Sequence, residues 1–339
     1  MTVTLRDIAD EAGVSVMTVS NVMNGKSARV SAKTIERVRG IADRLGYVPN
    51  IAARSLAATR SHVIAALVPV GPDDDLLVSP HTVAVIGGIE RHLRKHGYHV
   101  LLRGIEHEDE IAQAVRGWSL DGAILVEFDD AKIDRIRIDE VPLVAIDSYS
   151  ANPRTVGVRT DDHRGGWLAG ARLAEAGHRR LLFAGPARRA SGVVAQRWDG
   201  FRSACVAAGI PAEHLVVEEA LTTFQDGREL GQRLRDDHPD VTAVFATADI
   251  LAVGLMAGIA DAGGSVPGDL SVIGFDDLDV SGYTTPALTT IAQDMPAKVA
   301  EASRIILDEI ERGEGPRVPV TLGVRLVERG SVAPPASRR

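Results

Sequence analysis

The sequence predicts an all-α helix-turn-helix head joined to an α/β body built as two lobes, each a doubly wound parallel sheet. Three observations carry this. Helix caps and apolar positions at helical spacing follow one another through the first fifty residues, and from Val63 onward apolar runs alternate with amphipathic stretches. The charge also divides: residues 1–60 hold nine Lys and Arg against five Asp and Glu, a net of +4, in a chain of 339 residues with a formal net charge of −8.

In the head, Thr4 caps a first helix with Asp7 three residues on, Leu5, Ile8, Ala9 and Ala12 recur at helical spacing, and Gly13 stops it. Ser15 caps a second helix after a turn of only Gly13 and Val14, which suits two crossed helices better than an antiparallel pair. Asn24-Gly25 ends that helix, Ser31 opens a third, and Gly46 closes it. Around the second helix, Val19, Val22 and Met23 form an inward arc, whereas Val16, Met17, Ser20 and Asn21 form an outward arc of groups sized for a groove. Three such helices would also make a plain structural bundle. The basic head on an acidic body favours DNA, because counterion release rewards only the surface that meets phosphates.

In the body, Val63–Pro69 reads as a buried parallel strand and Thr82–His96 as a helix with Ile86, Ile89 and Leu93 on one face. Strands follow at Val100–Leu102, Ala123–Val126, Leu143–Ile146, Leu181–Ala184, Ala243–Ala246 and Ser271–Phe275. Between them lie helical stretches at Gly166–Ala176, Arg197–Ala208, Gly227–Asp236, Ile250–Ala262 and Ala297–Arg312. That is too many strands for one small sheet, so two lobes with a cleft are expected. Ligands of such sheets bind beyond the carboxyl ends of strands, where Asp147, Asp249 and Asp276 fall. For Asp249, ligand contact and capping of the next helix are equally good readings.

Composition narrows the class. One cysteine, Cys205, rules out an internal disulfide framework and fits a reducing cytoplasm. The start is polar and the longest apolar run, Val63 to Val70, is too short to span a bilayer, so a cytoplasmic protein with no membrane partner is expected. An enzyme on a Rossmann-like scaffold would be the rival class. The chain lacks Gly-x-Gly-x-x-Gly after a strand, a phosphate-loop Gly-Lys-Ser/Thr, a Gly-x-Ser-x-Gly elbow and His-Glu-x-x-His. His92 and His96, four apart amid Arg91, Arg94 and Lys95, read as a solvated basic face rather than a metal site. No cofactor, metal or catalytic residue is expected.

The chain resembles transcriptional regulators of the lactose-repressor (LacI/GalR) family over essentially its full length. In the head the resemblance rests on Val14-Ser15, Thr18-Val19-Ser20, Val30-Ser31 to Thr34, and Tyr47-Val48-Pro49-Asn50 with Ala53 and Leu56. In the body it rests on Gly177-His178-Arg179, Arg197 with Gly200-Phe201, Asp249 with Ala252 and Gly254, Val272 to Asp277, Pro286 to Ile291, and Arg325 to Arg329 with Ser331.

The resemblance implies a periplasmic-binding-protein-like body and a homodimer whose heads read a two-fold operator in double-stranded DNA. It implies domains at 1–48 (head), 49–60 (hinge helix and linker) and 61–333 (effector binding and dimerisation), with a disordered tail at 334–339. Lobe one would comprise about 61–159 with 292–317, and lobe two 160–291 with 318–333. It implies a hinge helix over residues 50–58 that folds on DNA and wedges Leu56 into the minor groove, with Asn50, Ala53 and Arg54 beside it. Val16, Met17 and Asn21 would read bases; Asn21 suits adenine, and no arginine is present to favour guanine, so Arg29, Leu56 and groove shape take more of the discrimination. Thr4, Ser15, Thr18, Ser20, Ser31 and Thr34 would cap helices and touch phosphates.

For the body the resemblance implies a sugar-like effector between the lobes, held by Arg197 and Asp276 first, then Asp147 and Asp249, with His81 and Phe224 nearby. Ala248 stands where asparagine is common, and the usual aromatic position falls in Leu221-Thr222-Thr223, with Phe224 nearest. An acidic insertion, Pro72-Asp73-Asp74-Asp75, and an aromatic-free Ser79-Pro80-His81 complete an atypical pocket. A nucleobase or phosphorylated corepressor is the alternative, with Arg159 and Arg103 as candidate anion partners. The reading adopted is a repressor of a carbohydrate-utilisation operon, released from its operator by the effector.

Overall fold

A computed structural model describes residues 3–23, 27–47, 60–71, 76, 79–187, 192–313 and 318–336. The chain divides into two compact units, Met1–Ser61 and His62–Arg339.

In the first unit the helices are α1 (Leu5–Ala12), α2 (Val16–Met23) and α3 (Ala32–Leu45). Thr4 and Asp7 form a reciprocal capping box, and Ser31 accepts from the Thr34 N–H. Gly13 and Gly46 close α1 and α3 in the left-handed conformation that glycine adopts without strain. Ile8, Ala9, Ala12, Val19, Val22, Val38 and Ala42 form the core, with Met23 packed against it. The expected end of α2 at Asn24-Gly25 and the expected hinge helix lie outside the described residues.

The second unit carries two six-stranded sheets. The first has the order β11-β5-β4-β3-β1-β2, all parallel, from β1 (Val63–Pro69), β2 (His99–Ile105), β3 (Gly122–Leu125), β4 (Leu143–Ile146), β5 (Thr155–Thr160) and β11 (Val320–Leu322). The second has the order β12-β10-β9-β8-β6-β7, from β6 (Leu181–Gly185), β7 (Leu215–Glu219), β8 (Ala243–Ala246), β9 (Ser271–Asp276), β10 (Thr289–Gln293) and β12 (Val324–Val327). In this sheet only β12 runs antiparallel. Apolar clusters cover both faces of each sheet, as buried parallel strands require. The last passage between sheets falls after Leu322, not near Arg317 as expected, because Val320–Leu322 pairs with β5 and stays in the first sheet.

The helices that matter for the site are α4 (Pro80–Lys95), α5 (Asp109–Gly117), α6 (Asp130–Ile133), α7 (Asp162–Glu175), α8 (Gly192–Ala207), α9 (Phe224–Asp237), α10 (Asp249–Asp261), α11 (Asp279–Tyr283) and α12 (Met295–Arg312). Helices α7 and α8 meet through glycines: a Cβ on Gly166 would overlap the Arg197 carbonyl, and one on Gly200 would overlap the His163 carbonyl. This contact sets where Arg197 stands.

His178 shows how the chain's end is fastened. Its Nε2 lies 3.0 Å from both the Ala333 carbonyl and the Ser271 hydroxyl, and its Nδ1 lies 2.9 Å from the Thr242 hydroxyl. A carbonyl can only accept, so Nε2 carries the proton of a neutral ring. Ala333 is thereby fixed just before the stretch at 334–339 expected to be disordered, of which Pro334 to Ala336 are described and the rest lie outside the described residues.

Two buried histidines should respond to pH in opposite senses. Burial depresses the His178 pKa, so the unfolded chain takes up the proton first and His178's contribution is lost as pH falls below the ordinary value of about 6.5. His81 is the reverse: burial opposes its charge, but hydrogen bonds and coulombic attraction from Asp147, Glu127 and Asp276 outweigh it and raise the pKa to about 10. Its contribution is present below about pH 6.5 and fades as pH climbs toward 10. Urea midpoints of the native chain, His178→Gln and His81→Gln at pH 5, 7 and 9 check this. The native advantage over His178→Gln should shrink at pH 5 and that over His81→Gln at pH 9, whereas pH-independent differences would refute both assignments.

Candidate functional sites

In the head, the outward arc of α2 presents Val16 at 42% and Met17 at 69% exposure, with Asn21 half-buried between that arc and the core. Val19 and Val22 on the opposite arc are buried. The hydroxyls of Ser15 and Thr18 lie 2.9 Å apart, and the Thr18 N–H donates to Ser15 Oγ at 3.1 Å. Ser31 and Thr34 repeat the pairing at 2.9 Å, and Thr4 Oγ1 donates to Asp7 Oδ2 at 2.8 Å. Thr4, Ser15 and Ser31 thus cap the three helices, with Asp7, Thr18 and Thr34 as their first-turn partners. Ser20 is half-buried on α2 and Arg29 is exposed in the turn before α3. Asn50, Ala53, Arg54 and Leu56 lie outside the described residues.

In the body, the carboxyl ends of strands from both sheets converge on one polar cluster. Lys298, on α12 and 0% exposed, donates from Nζ to Asp147 Oδ1 at 2.5 Å, to Thr160 Oγ1 at 3.1 Å and to Gln293 Oε1. Gln293, at the end of β10, also accepts from Thr160 Oγ1 at 2.8 Å, so Thr160 and Lys298 carry the bonds from the first sheet to the second, and Gln293 Nε2 extends them within the second sheet to Asp276 Oδ1 at 2.6 Å. On its other side Asp147 lies 3.2 Å from His81 Nε2, and His81 Nδ1 lies 3.4 Å from Glu127. Burial alone would raise the Asp147 pKa; the Lys298 and His81 cations hold it below the usual carboxylate range.

Arg197 forms the second part of the cluster. Its guanidinium stacks 3.5 Å from the Phe275 ring centroid, Nε donates to Asp162 Oδ1 at 2.8 Å, and Nη1 donates to the Thr247 carbonyl at 2.5 Å. Asp162 also accepts from the Tyr149 hydroxyl at 3.0 Å, and Asp130 accepts from the Gly192 N–H at 3.0 Å, two further ties between the sheets' loops. Among the described residues, Arg197 Nη2 and the second Asp276 oxygen have no hydrogen-bond partner. Burial keeps the Asp276 pKa raised even though His81, Arg197 and Lys298 pull it down.

Four of the six residues expected around an effector, Asp147, Arg197, Asp276 and His81, are brought together. Asp249 is 0% exposed and both its oxygens are taken, one by the Leu278 N–H at 3.0 Å and one by the Thr290 hydroxyl at 2.5 Å. It joins α10 to the loop after β9, which is neither of the two roles expected for it. Phe224 opens α9 behind the Thr223 cap and is 40% exposed; the ring set against Arg197 is Phe275. Arg159 is used inside the chain, over Tyr149 at 4.1 Å and on the Ser148 carbonyl at 3.3 Å. His96 Nδ1 meets the His92 carbonyl at 3.0 Å.

Lys298, Gln293, Thr160, Asp162 and Glu127 are members of the cluster that sequence reasoning missed. One signal was available for Lys298. Met295, Val299, Ala302, Ile305 and Ile306 define the inward face of α12, and Lys298 falls on it.

A small helix-turn-helix unit whose second helix exposes apolar and polar groups, in one chain with a two-sheet body that gathers a polar cluster at converging strand ends, defines a ligand-responsive DNA-binding regulator. Residues 4–50 match the bacterial regulatory proteins of the lacI family, and residues 171–332 match a periplasmic binding protein-like domain. The chain is 33% identical to the HTH-type transcriptional regulator CelR of Thermobifida fusca over 97% of its own length and 98% of that protein's, and 32% identical to the regulator MalR of Streptomyces coelicolor over 98% and 97%. Among solved structures, the lac repressor dimer bound to operator and the anti-inducer ONPF superposes with a TM-score of 0.84 at 26% identity, covering 98% of this chain and all of that one. A CelR–cellobiose complex gives 0.73 at 28% identity over 97% of this chain and all of that one. The chain belongs to the lacI family of bacterial transcriptional regulators. No helix among the described residues is long and apolar enough to cross a membrane.

Proposed function

We propose that the protein is a homodimeric repressor of a carbohydrate-utilisation operon, acting in the cytoplasm, with no catalytic step of its own. A sugar-like effector binds at the cluster of Arg197 and Asp276 and releases the paired heads from a two-fold operator. The observation that carries this is a buried guanidinium stacked on the Phe275 ring, with the Asp276 carboxylate next to that ring in the chain, at the carboxyl end of the second sheet. Arg197 Nη2 can only donate and the second Asp276 oxygen is an acceptor, a combination suited to sugar hydroxyls. Similar chains support the class of effector: one is in complex with cellobiose, and a 32% identical regulator from Enterococcus faecium holds ribose.

Switching is then linkage. The bonds from Lys298 through Gln293 to Asp276 tie the two sheets, and an effector that binds one arrangement of the sheets better biases the dimer toward good or poor head spacing. In the head, Asn21 reads adenine while Val16 and Met17 meet thymine methyls, with Arg29 and the hinge residues Asn50, Ala53, Arg54 and Leu56 adding backbone and minor-groove contact. The test is titration of the operator-bound chain with cellobiose and ribose: release supports induction, and tightening would make the protein a corepressed regulator.

A further inference from the structure

We propose that Thr247 is a specificity-determining residue of the effector site, its hydroxyl pairing with a hydroxyl of the bound sugar. The proposal rests on the reading of the Arg197–Asp276 cluster as that site.

Thr247 follows the last residue of β8 and is 2% exposed, yet its Oγ1 is buried with no hydrogen-bond partner among the described residues. A buried hydroxyl left unpaired is uncommon and unfavourable, and a partner supplied from outside the chain resolves it. Its position fits such a partner. The carboxyl end of a parallel strand is where ligands of these sheets bind, and the Thr247 carbonyl itself accepts from Arg197 Nη1 at 2.5 Å.

Strand alternation places Thr247 on the same face of the sheet as Phe245, the face that also carries Phe275 beneath the Arg197 guanidinium. The Thr247 hydroxyl lies over a residue that has no side chain. At the end of the neighbouring β6, a Cβ on Gly185 would overlap the Thr247 side chain, so the chain has no side chain where the threonine lies. The adjoining residues offer no substitute: Ala248 has only a methyl, and Asp249 is fully engaged by Leu278 and Thr290. A hydroxyl both donates and accepts, which complements the donor-only Arg197 Nη2 and the acceptor oxygen of Asp276. A site that pairs with a ligand hydroxyl discriminates against analogues lacking it, because its own polar group is then left unsatisfied.

The test uses the full chain with Thr247→Val, which keeps the shape, and Thr247→Ser, which keeps the hydroxyl. Without any sugar, the urea midpoint of Thr247→Val should equal or exceed that of the native chain, since an unpaired hydroxyl is removed. A fall would show that the hydroxyl is satisfied within the chain and overturn the proposal. Calorimetric titration with cellobiose and ribose should show binding weakened about tenfold in Thr247→Val and within about threefold of native in Thr247→Ser. Undiminished affinity in Thr247→Val would also overturn it. If neither sugar binds the native chain, the sugar reading itself fails, and the midpoint comparison still decides whether the hydroxyl is unpaired.

Discussion

Replacing Lys298 with methionine is expected to lower stability by about 3–5 kcal/mol, the range found when one member of a buried ion pair is removed. The side chain is 0% exposed and its ammonium holds three acceptors: Asp147, which follows β4, and Thr160 and Gln293, the last residues of β5 and β10. Methionine fills much of the volume but leaves the Asp147 carboxylate buried with only His81 beside it. The second replacement, Asp147→Asn in the same chain, removes the orphaned charge and should restore part of the loss. Urea unfolding of the single and double variants checks this. A single variant within about 1 kcal/mol of native, or a double variant no better than the single, would contradict the role given to the ammonium.

Gly166→Ala should be nearly as damaging for a steric reason, costing about 3 kcal/mol. The added Cβ would run into the backbone carbonyl of Arg197, and backbone cannot swing aside as a flexible side chain can. Helix α8 must move off α7, which also draws the guanidinium away from Asp162 and from the Phe275 ring. Stability and effector affinity should therefore fall together. Gly87→Ala on α4 is the control: its Cβ meets nothing within 4 Å, and the substitution should gain about 0.4–1 kcal/mol through the unfolded state. Thermal unfolding of both variants distinguishes the cases, and equal behaviour would refute the close-packing argument.

Much of this architecture was legible because local physics determines it. The capping box at Thr4 and Asp7, the Ser31 cap and the Gly46 stop are contacts between residues three or four apart, or single backbone conformations. Runs such as Leu143–Ile146 and Ala243–Ala246 are apolar throughout because both their faces are covered. The missed strands broke that pattern. β10, Thr289–Gln293, buries two threonines that read as polar but are satisfied by distant partners, Thr289 by Ser331 and Arg329 and Thr290 by Asp249. β7, Leu215–Glu219, is an edge strand half open to solvent and ends in two glutamates.

The site divides along the same line. Asp147 and Asp276 were picked out from their places at strand ends, and Arg197 from the family resemblance. Lys298 was not, because its partner Asp147 is 151 residues away and nothing local announces the pair. Asp249 was open to two local readings, and contacts with Leu278 and Thr290, 29 and 41 residues on, gave it a third role.

Effector-controlled operator binding is tested most directly by selecting bound sequences from random duplexes with the full-length chain and then titrating the selected complex with cellobiose and ribose. The expected result is a two-fold symmetric site bound by two chains, with adenine opposite Asn21 in each half, and release when one of the sugars is added. Failure to enrich a symmetric sequence, or a complex that neither sugar loosens, would contradict it.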